Sequence, residues 1–153
     1  MARSYLYIFS LARQAEEVQD WEQAEDLYAR AHESSPEYKP GLVDYANFLF
    51  KIEKYDRSIE LIEKLQDDTE MRFQYFLVKG RSLMGKGMYQ EAVDHLLEGN
   101  KLYNSDTGLL NSLGICYHNL GEGGLALDAL NASLRLNPAQ EDVKALIAEI
   151  EKK

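Results

Sequence analysis

Apolar residues recur along the chain at helical spacing, in short stripes that come in pairs. Ile8, Leu11, Ala12 and Ala15 form one stripe, and Leu42, Tyr45, Ala46 and Leu49 repeat its pattern. Spacings of three and four put such residues on one side of a helix, so each stripe predicts an amphipathic helix with one buried face. A second stripe follows each first one, as Ala24, Leu27, Tyr28 and Ala31 do. Between the two lies a short polar or glycine-bearing break: Gln19-Asp20, Glu53-Lys54, Gly87-Met88 and Gly121-Glu122. The predicted unit is a helical hairpin.

The hairpins are copies of one another. Ala24, Tyr28, Ala31 and Pro36 return as Ala126, Leu130, Ser133 and Pro138, an offset of 102 residues, three times 34. Steps of 34 align Trp21, Tyr55 and Tyr89, and also Ala24, Ser58, Ala92 and Ala126. Four units are expected, 5–38, 39–72, 73–106 and 107–140, followed by a tail, all in one domain over 1–153. The small residues suit crossings where helix axes approach within roughly 8 to 10 Å. In the tail, Val143, Leu146, Ile147 and Ile150 make an apolar stripe among charged residues, which predicts a capping helix over 141–153, with Asn137 as its cap and Pro138 its first residue.

A 34-residue helical hairpin with small residues at fixed crossings, an aromatic residue opening the second helix and a proline near the end resembles the tetratricopeptide repeat (TPR). The fourth unit carries the likeness best, with Leu110, Leu113, Gly114, Tyr117, Gly121, Ala126, Leu130 and Pro138. The first, with Leu11, Ala12, Trp21, Ala24, Tyr28, Ala31 and Pro36, is nearly as good. The second departs at Ser58 and Glu70, and the third at Lys79 and Asn104, where irregular packing is expected. The resemblance implies an all-α, right-handed superhelical solenoid of four hairpins plus a C-terminal capping helix. It also implies a non-catalytic protein-binding or scaffold module whose first helices line a concave groove. The groove residues so implied are Phe9 and Arg13; Val43, Asn47, Phe50 and Lys51; Leu77, Arg81 and Met84; and Ile115, His118 and Asn119. Glu16 and Glu17 face the same way. Such a groove has an apolar floor punctuated by Arg13, Lys51 and Arg81, suited to an extended segment or helix that brings apolar anchors and a carboxylate. The lysine and asparagine clamp by which some relatives hold chaperone tails has no counterpart: Phe9, Arg13, Asp44, Gln74 and Val78 stand in its places.

Composition and motifs narrow the remaining choices. Seventeen basic against twenty-six acidic residues give a net charge of -9, which disfavours nucleic acid, whose affinity rests on cationic contacts to phosphate. The stretch GRSLMGKG, residues 80–87, comes close to a phosphate-binding loop, but glycine stands where the hydroxyl residue should be and no strand precedes it. Gly80 aligns with Ala12, Ala46 and Gly114 at a helix crossing, and Gly87 aligns with Gly121 in the turn. His32, His95 and His118 fall in different units, and Cys116 reads as a small buried hydrophobe, so neither an enzyme nor a cofactor or metal site is expected. The first twelve residues mimic a secretory signal, yet they lie in register with the first helix. A cytoplasmic location is expected over a periplasmic or secreted one. Tyr5, Leu6, Tyr7, Ile8 and Phe9 form an apolar run too long for one hairpin to bury. Self-association through it, or assembly into a longer repeat array, is the alternative to groove binding.

Overall fold

The computed structural model describes residues 4–152. Lys153, assigned above to the capping helix, and residues 1–3, the basic start of the signal-like stretch, lie outside them. The described residues form helices and turns with no strand. Four hairpins follow one another: α1 (Ser4–Glu17) with α2 (Trp21–Ser34), α3 (Lys39–Lys51) with α4 (Tyr55–Ile62), α5 (Arg72–Gly85) with α6 (Tyr89–Leu102), and α7 (Thr107–Asn119) with α8 (Gly123–Leu136). A final helix, α9 (Glu141–Glu151), closes the order. The contacts divide the chain into two compact units, Met1–Val78 and Lys79–Lys153, with the boundary inside α5.

The predicted breaks are the hairpin turns, and they are built identically. Gln19, Glu53, Gly87 and Gly121 have φ of 61°, 63°, 78° and 78°, and they stand 34 residues apart. At each turn the residue with positive φ donates to the carbonyl three residues back, as Gln19 N does to Glu16 O at 3.0 Å. The next residue donates five back, as Asp20 N does to Ala15 O at 2.9 Å. This is the double hydrogen bond that satisfies the last carbonyls of a helix through one left-handed residue. Asp20 then begins α2, its carboxylate accepting from Gln23 N at 3.2 Å.

Small residues lie where the periodicity puts them. Ala12, Ala24, Ala31, Ala46, Ser58, Ala92, Ala126 and Ser133 are fully buried. A Cβ on Gly80 would meet Leu96 Cδ2 at 2.3 Å, and one on Gly114 would meet Leu130 Cδ2 at 2.5 Å. The glycines of the phosphate-loop look-alike are therefore a crossing residue, Gly80, the last residue of α5, Gly85, and a turn residue, Gly87. Ser58 is no defect, since its buried hydroxyl donates to Ala46 O at 2.7 Å.

Two expectations are corrected. Asn137 does not cap the last helix: it ends α8, with φ of -141°, and its side chain accepts from Ala139 N at 3.1 Å. Pro138 disfavours helical backbone at the residue before it, so α9 begins three residues later, with Gln140 at its cap position. The Gln140 amide donates to the Ser133 hydroxyl at 3.0 Å and to Asn137 O at 2.9 Å, tying the loop down. The N-terminal apolar run is not left uncovered as a block. Phe9 is fully buried, Tyr5 sits with its ring 5.1 Å from that of Tyr38, and Leu6 and Ile8 are half-buried. Only Tyr7 of the five is exposed.

Candidate functional site

The residues assigned to the ligand face fall into three groups. Phe9 and Val43 belong to the core, not to a surface. Phe9 packs against Tyr28 and Tyr38 at 6.3 and 5.6 Å, and its ring fills the space above Gly41, where a Cβ would lie 2.3 Å away. Val43 is 8% exposed. Helical spacing places both on the expected side of their helices, but it cannot tell whether a neighbouring side chain covers them. The glycine at position 41 and the tyrosine at 38 were the signals available in the sequence.

A second group is engaged within the chain. Arg13 pairs with Asp44 at 3.0 Å. Lys51 pairs with Glu16, whose other oxygen accepts from the Tyr28 hydroxyl at 2.7 Å. Burial first, and then this bond to a carboxylate, push the Tyr28 phenol far above its ordinary range. Glu16 is thus a junction joining α1, α2 and α3, not a free anion on the ligand face. Asn119 donates its side-chain amide to Ile115 O at 2.8 Å, back onto its own helix.

The third group keeps accessible surface. In the first unit it comprises Asn47 and Phe50 on α3 and Leu77 on α5, all half-buried; the Phe50 ring also lies tilted against that of Tyr55 at 5.9 Å. In the second unit it comprises Arg81 and Met84 on α5 and Ile115 and His118 on α7, again half-buried. Arg81 differs from Arg13 and Lys51. Burial depresses its pKa, partly offset by the charge of Asp106 at the start of α7, and no carboxylate hydrogen-bonds to it among the described residues. A guanidinium partly withdrawn from water and not bonded to a carboxylate carries some desolvation cost that an incoming anion relieves. One turn along α7, Asn111 donates to Gln140 at 2.8 Å while its own carbonyl oxygen is buried without a partner. The family resemblance puts Asn111 on this face, but helical phase does not reveal that its carbonyl is left unsatisfied.

Cys116 is fully buried, and burial pushes its thiol up to about 11, which removes the thiolate a nucleophile needs. Among the described residues no cluster of three or more histidine, cysteine, aspartate or glutamate side chains could hold a metal ion. No helix of the described residues is long and apolar enough to cross a membrane.

Repeated two-helix hairpins with left-handed turns every 34 residues and small residues at most of the crossings define an all-α helical-repeat protein. The chain has the tetratricopeptide-repeat fold. It is similar to a thermophilic TPR protein of Thermus thermophilus, with a TM-score of 0.79 and 20% identity, over 95% of this chain and 80% of that one. It is also similar to MamA of Desulfovibrio magneticus, with a TM-score of 0.79 and 14% identity, over 95% and 82% of the two chains. No family model matches the chain. In sequence it is 30% identical over 98 residues to anaphase-promoting complex subunit 3 of Dictyostelium discoideum, over 57% of this chain. The match spans 10% of that protein's length.

Proposed function

We propose that the protein is a non-catalytic interaction module that binds a partner segment on the exposed side of its first helices. Arg81 anchors a carboxylate, and Met84 and Ile115 supply the apolar surface beside it. The observation that carries this reading is Arg81: the other two cations of the face are neutralised within the chain, and this one is desolvated without a bonded anion. In the first unit, Asn47 and Phe50 offer a polar and an apolar contact on the same side of α3. A role in holding proteins together also accords with the sequence likeness to a named subunit of a multiprotein complex.

Panning a displayed peptide library on the folded chain tests the proposal. Selected peptides are expected to pair an acidic residue with large apolar ones. Arg81→Ala is expected to weaken them by about tenfold or more, since a desolvated charge-assisted contact contributes roughly 1.5 to 3 kcal/mol. Far-ultraviolet circular dichroism should be unchanged. Peptides that bind Arg81→Ala as well as the parent chain would remove the anchor from the proposal.

A further inference from the structure

His32 is a buried ionisable residue that the ligand face does not use. It sits near the end of α2 and is 7% exposed. With Ala29, Glu33 and Pro36, Tyr45 of α3 and Arg57 of α4, it lines a pocket of about 430 Å³. That volume falls in the range of small-molecule sites, roughly 300 to 1,000 Å³. Every lining residue belongs to the first compact unit, in which α2 packs against α3 and α3 against α4. None of them is among the residues assigned to the ligand face.

The imidazole decides what the pocket offers. Its Nδ1 is sealed from solvent without a hydrogen-bond partner, so only Nε2 can serve a ligand. A neutral imidazole carries one hydrogen. On Nδ1 that hydrogen would be a buried donor with no acceptor, a rarer arrangement than an acceptor left unmet; on Nε2 it is available. Burial keeps the ring neutral at pH above the ordinary histidine range, and the positive charges of Lys64, in the 3-10 turn Glu63–Leu65, and of Arg57 add to it. His32 therefore presents a donor. Arg57 presents more, since its Nη1 bonds Glu60 at 2.9 Å and a guanidinium has five N–H groups. The charged groups around the ring are then Arg57 and Lys64 of one sign and Glu33 of the other, with Glu60 held by Arg57.

Two donor groups in one pocket, one of them a cation, call for a negatively charged acceptor, an oxyanion. Glu33 opposes a second negative charge there, which disfavours a phosphate dianion against a monocarboxylate. Ala29, Pro36 and the Tyr45 ring, 5.9 Å from that of His32, supply apolar wall. We propose that this pocket binds a small monocarboxylate with an apolar body, its oxygens accepting from His32 Nε2 and from the Arg57 guanidinium. The site is separate from Arg81, and its failure leaves the reading of the ligand face standing.

Proton magnetic resonance of the histidine rings in the whole chain tests the proposal. There are three histidines, His32, His95 and His118, and the His32 signal is the one missing from His32→Phe. Phenylacetate is the probe. Near pH 7.5, above the ordinary histidine range, it is expected to shift the His32 signal saturably, with a Kd of about 1 to 10 mM for so small a ligand. Phenylacetamide, which keeps the ring and loses the charge, and inorganic phosphate should each bind at least about tenfold more weakly. Arg57→Gln should weaken phenylacetate by a similar factor, and so should Ala29→Leu, which narrows the pocket without touching a charge. Both side chains reach solvent, so the variants should fold as the parent does by circular dichroism. A His32 signal unmoved at about 50 mM phenylacetate, well above the expected Kd, overturns the proposal. So does phenylacetamide or phosphate binding as tightly as phenylacetate, or Arg57→Gln binding it as well as the parent chain.

Discussion

Single residues in this fold are constrained most where two helices touch or where a side chain is sealed from water. At Gly114, alanine would gain about 1 kcal/mol of helix propensity. It would also press on the buried Leu130 at 2.5 Å, and overpacking a closed crossing costs roughly 1 to 3 kcal/mol. A net loss of about 1 kcal/mol is expected for Gly114→Ala, read as a lower midpoint in urea with an unchanged slope. His32 is constrained electrostatically. It is 7% exposed, its Nδ1 is buried without a partner, and its ring lies 5.9 Å from Tyr45. Burial, with Lys64 and Arg57 adding to it, lowers its pKa. The folded state therefore favours neutral imidazole. Its contribution is present above the ordinary histidine range near 6.5 and is lost as pH falls through the depressed folded value. Denaturation between pH 7 and 5 should show this loss, and His32→Phe, which keeps a ring beside Tyr45, should flatten that limb of the profile.

At the scale of elements, the second and last helices show how one position can reshape a hairpin. The second helices α2, α6 and α8 each run 14 residues, whereas α4 runs 8 and passes into a 3-10 turn over Glu63–Leu65. The residue responsible is Leu65. It occupies the place of Ala31, Gly99 and Ser133, and a bulky side chain at a close crossing would hold the helices apart. The tighter turn lets Leu65 stay buried. Irregularity in the second unit is legible in the sequence, but the pattern points to Ser58 and Glu70; a serine in place of alanine looks like a departure, and its hydrogen bond is visible only in three dimensions. The apolar stripe of the capping helix was legible, though its cap was not: Val143, Ile147 and Ile150 pack with Ala126 and Leu130 in one buried cluster. Ile147→Ala removes a side chain from that cluster and is expected to lower stability by about 2 to 5 kcal/mol. Chemical denaturation followed by circular dichroism measures it, and a loss under about 0.5 kcal/mol, the range of ordinary surface substitutions, would mean that α9 does not seal the fourth hairpin.

Across the whole molecule the repeat was legible because stacking hairpins impose one local solution again and again. Small residues at crossings and the break every 34 residues are properties of single positions, and single positions are what a sequence displays. The candidate site was legible only as a direction. Helical phase put Phe9 and Arg81 on the same kind of face, but their fates depend on what lies above them: Tyr38 and Gly41 close over the first, while no bonded carboxylate quenches the second. The turns carry the last consequence of repetition. Two of the four left-handed positions hold glycine, and a Cβ at either Gly87 or Gly121 would meet nothing within 4 Å. The other two hold Gln19 and Glu53 at φ of 61° and 63°, where side chains with a Cβ are disfavoured by roughly 1 to 2 kcal/mol. Gln19→Gly and Glu53→Gly should each stabilise by about 0.5 to 1 kcal/mol, the strain relieved exceeding the added freedom of the unfolded chain. The turns lie 34 residues apart, in separate hairpins of one unit, and share no backbone hydrogen bond among the described residues; the Lys51–Glu16 pair between them is made by side chains that neither substitution removes, so the double variant should equal the sum within about 0.5 kcal/mol. Denaturant midpoints of the two single variants and the double variant measure this. A double variant no more stable than either single one would show that the turns are coupled, contrary to the local hydrogen bonding that builds each of them.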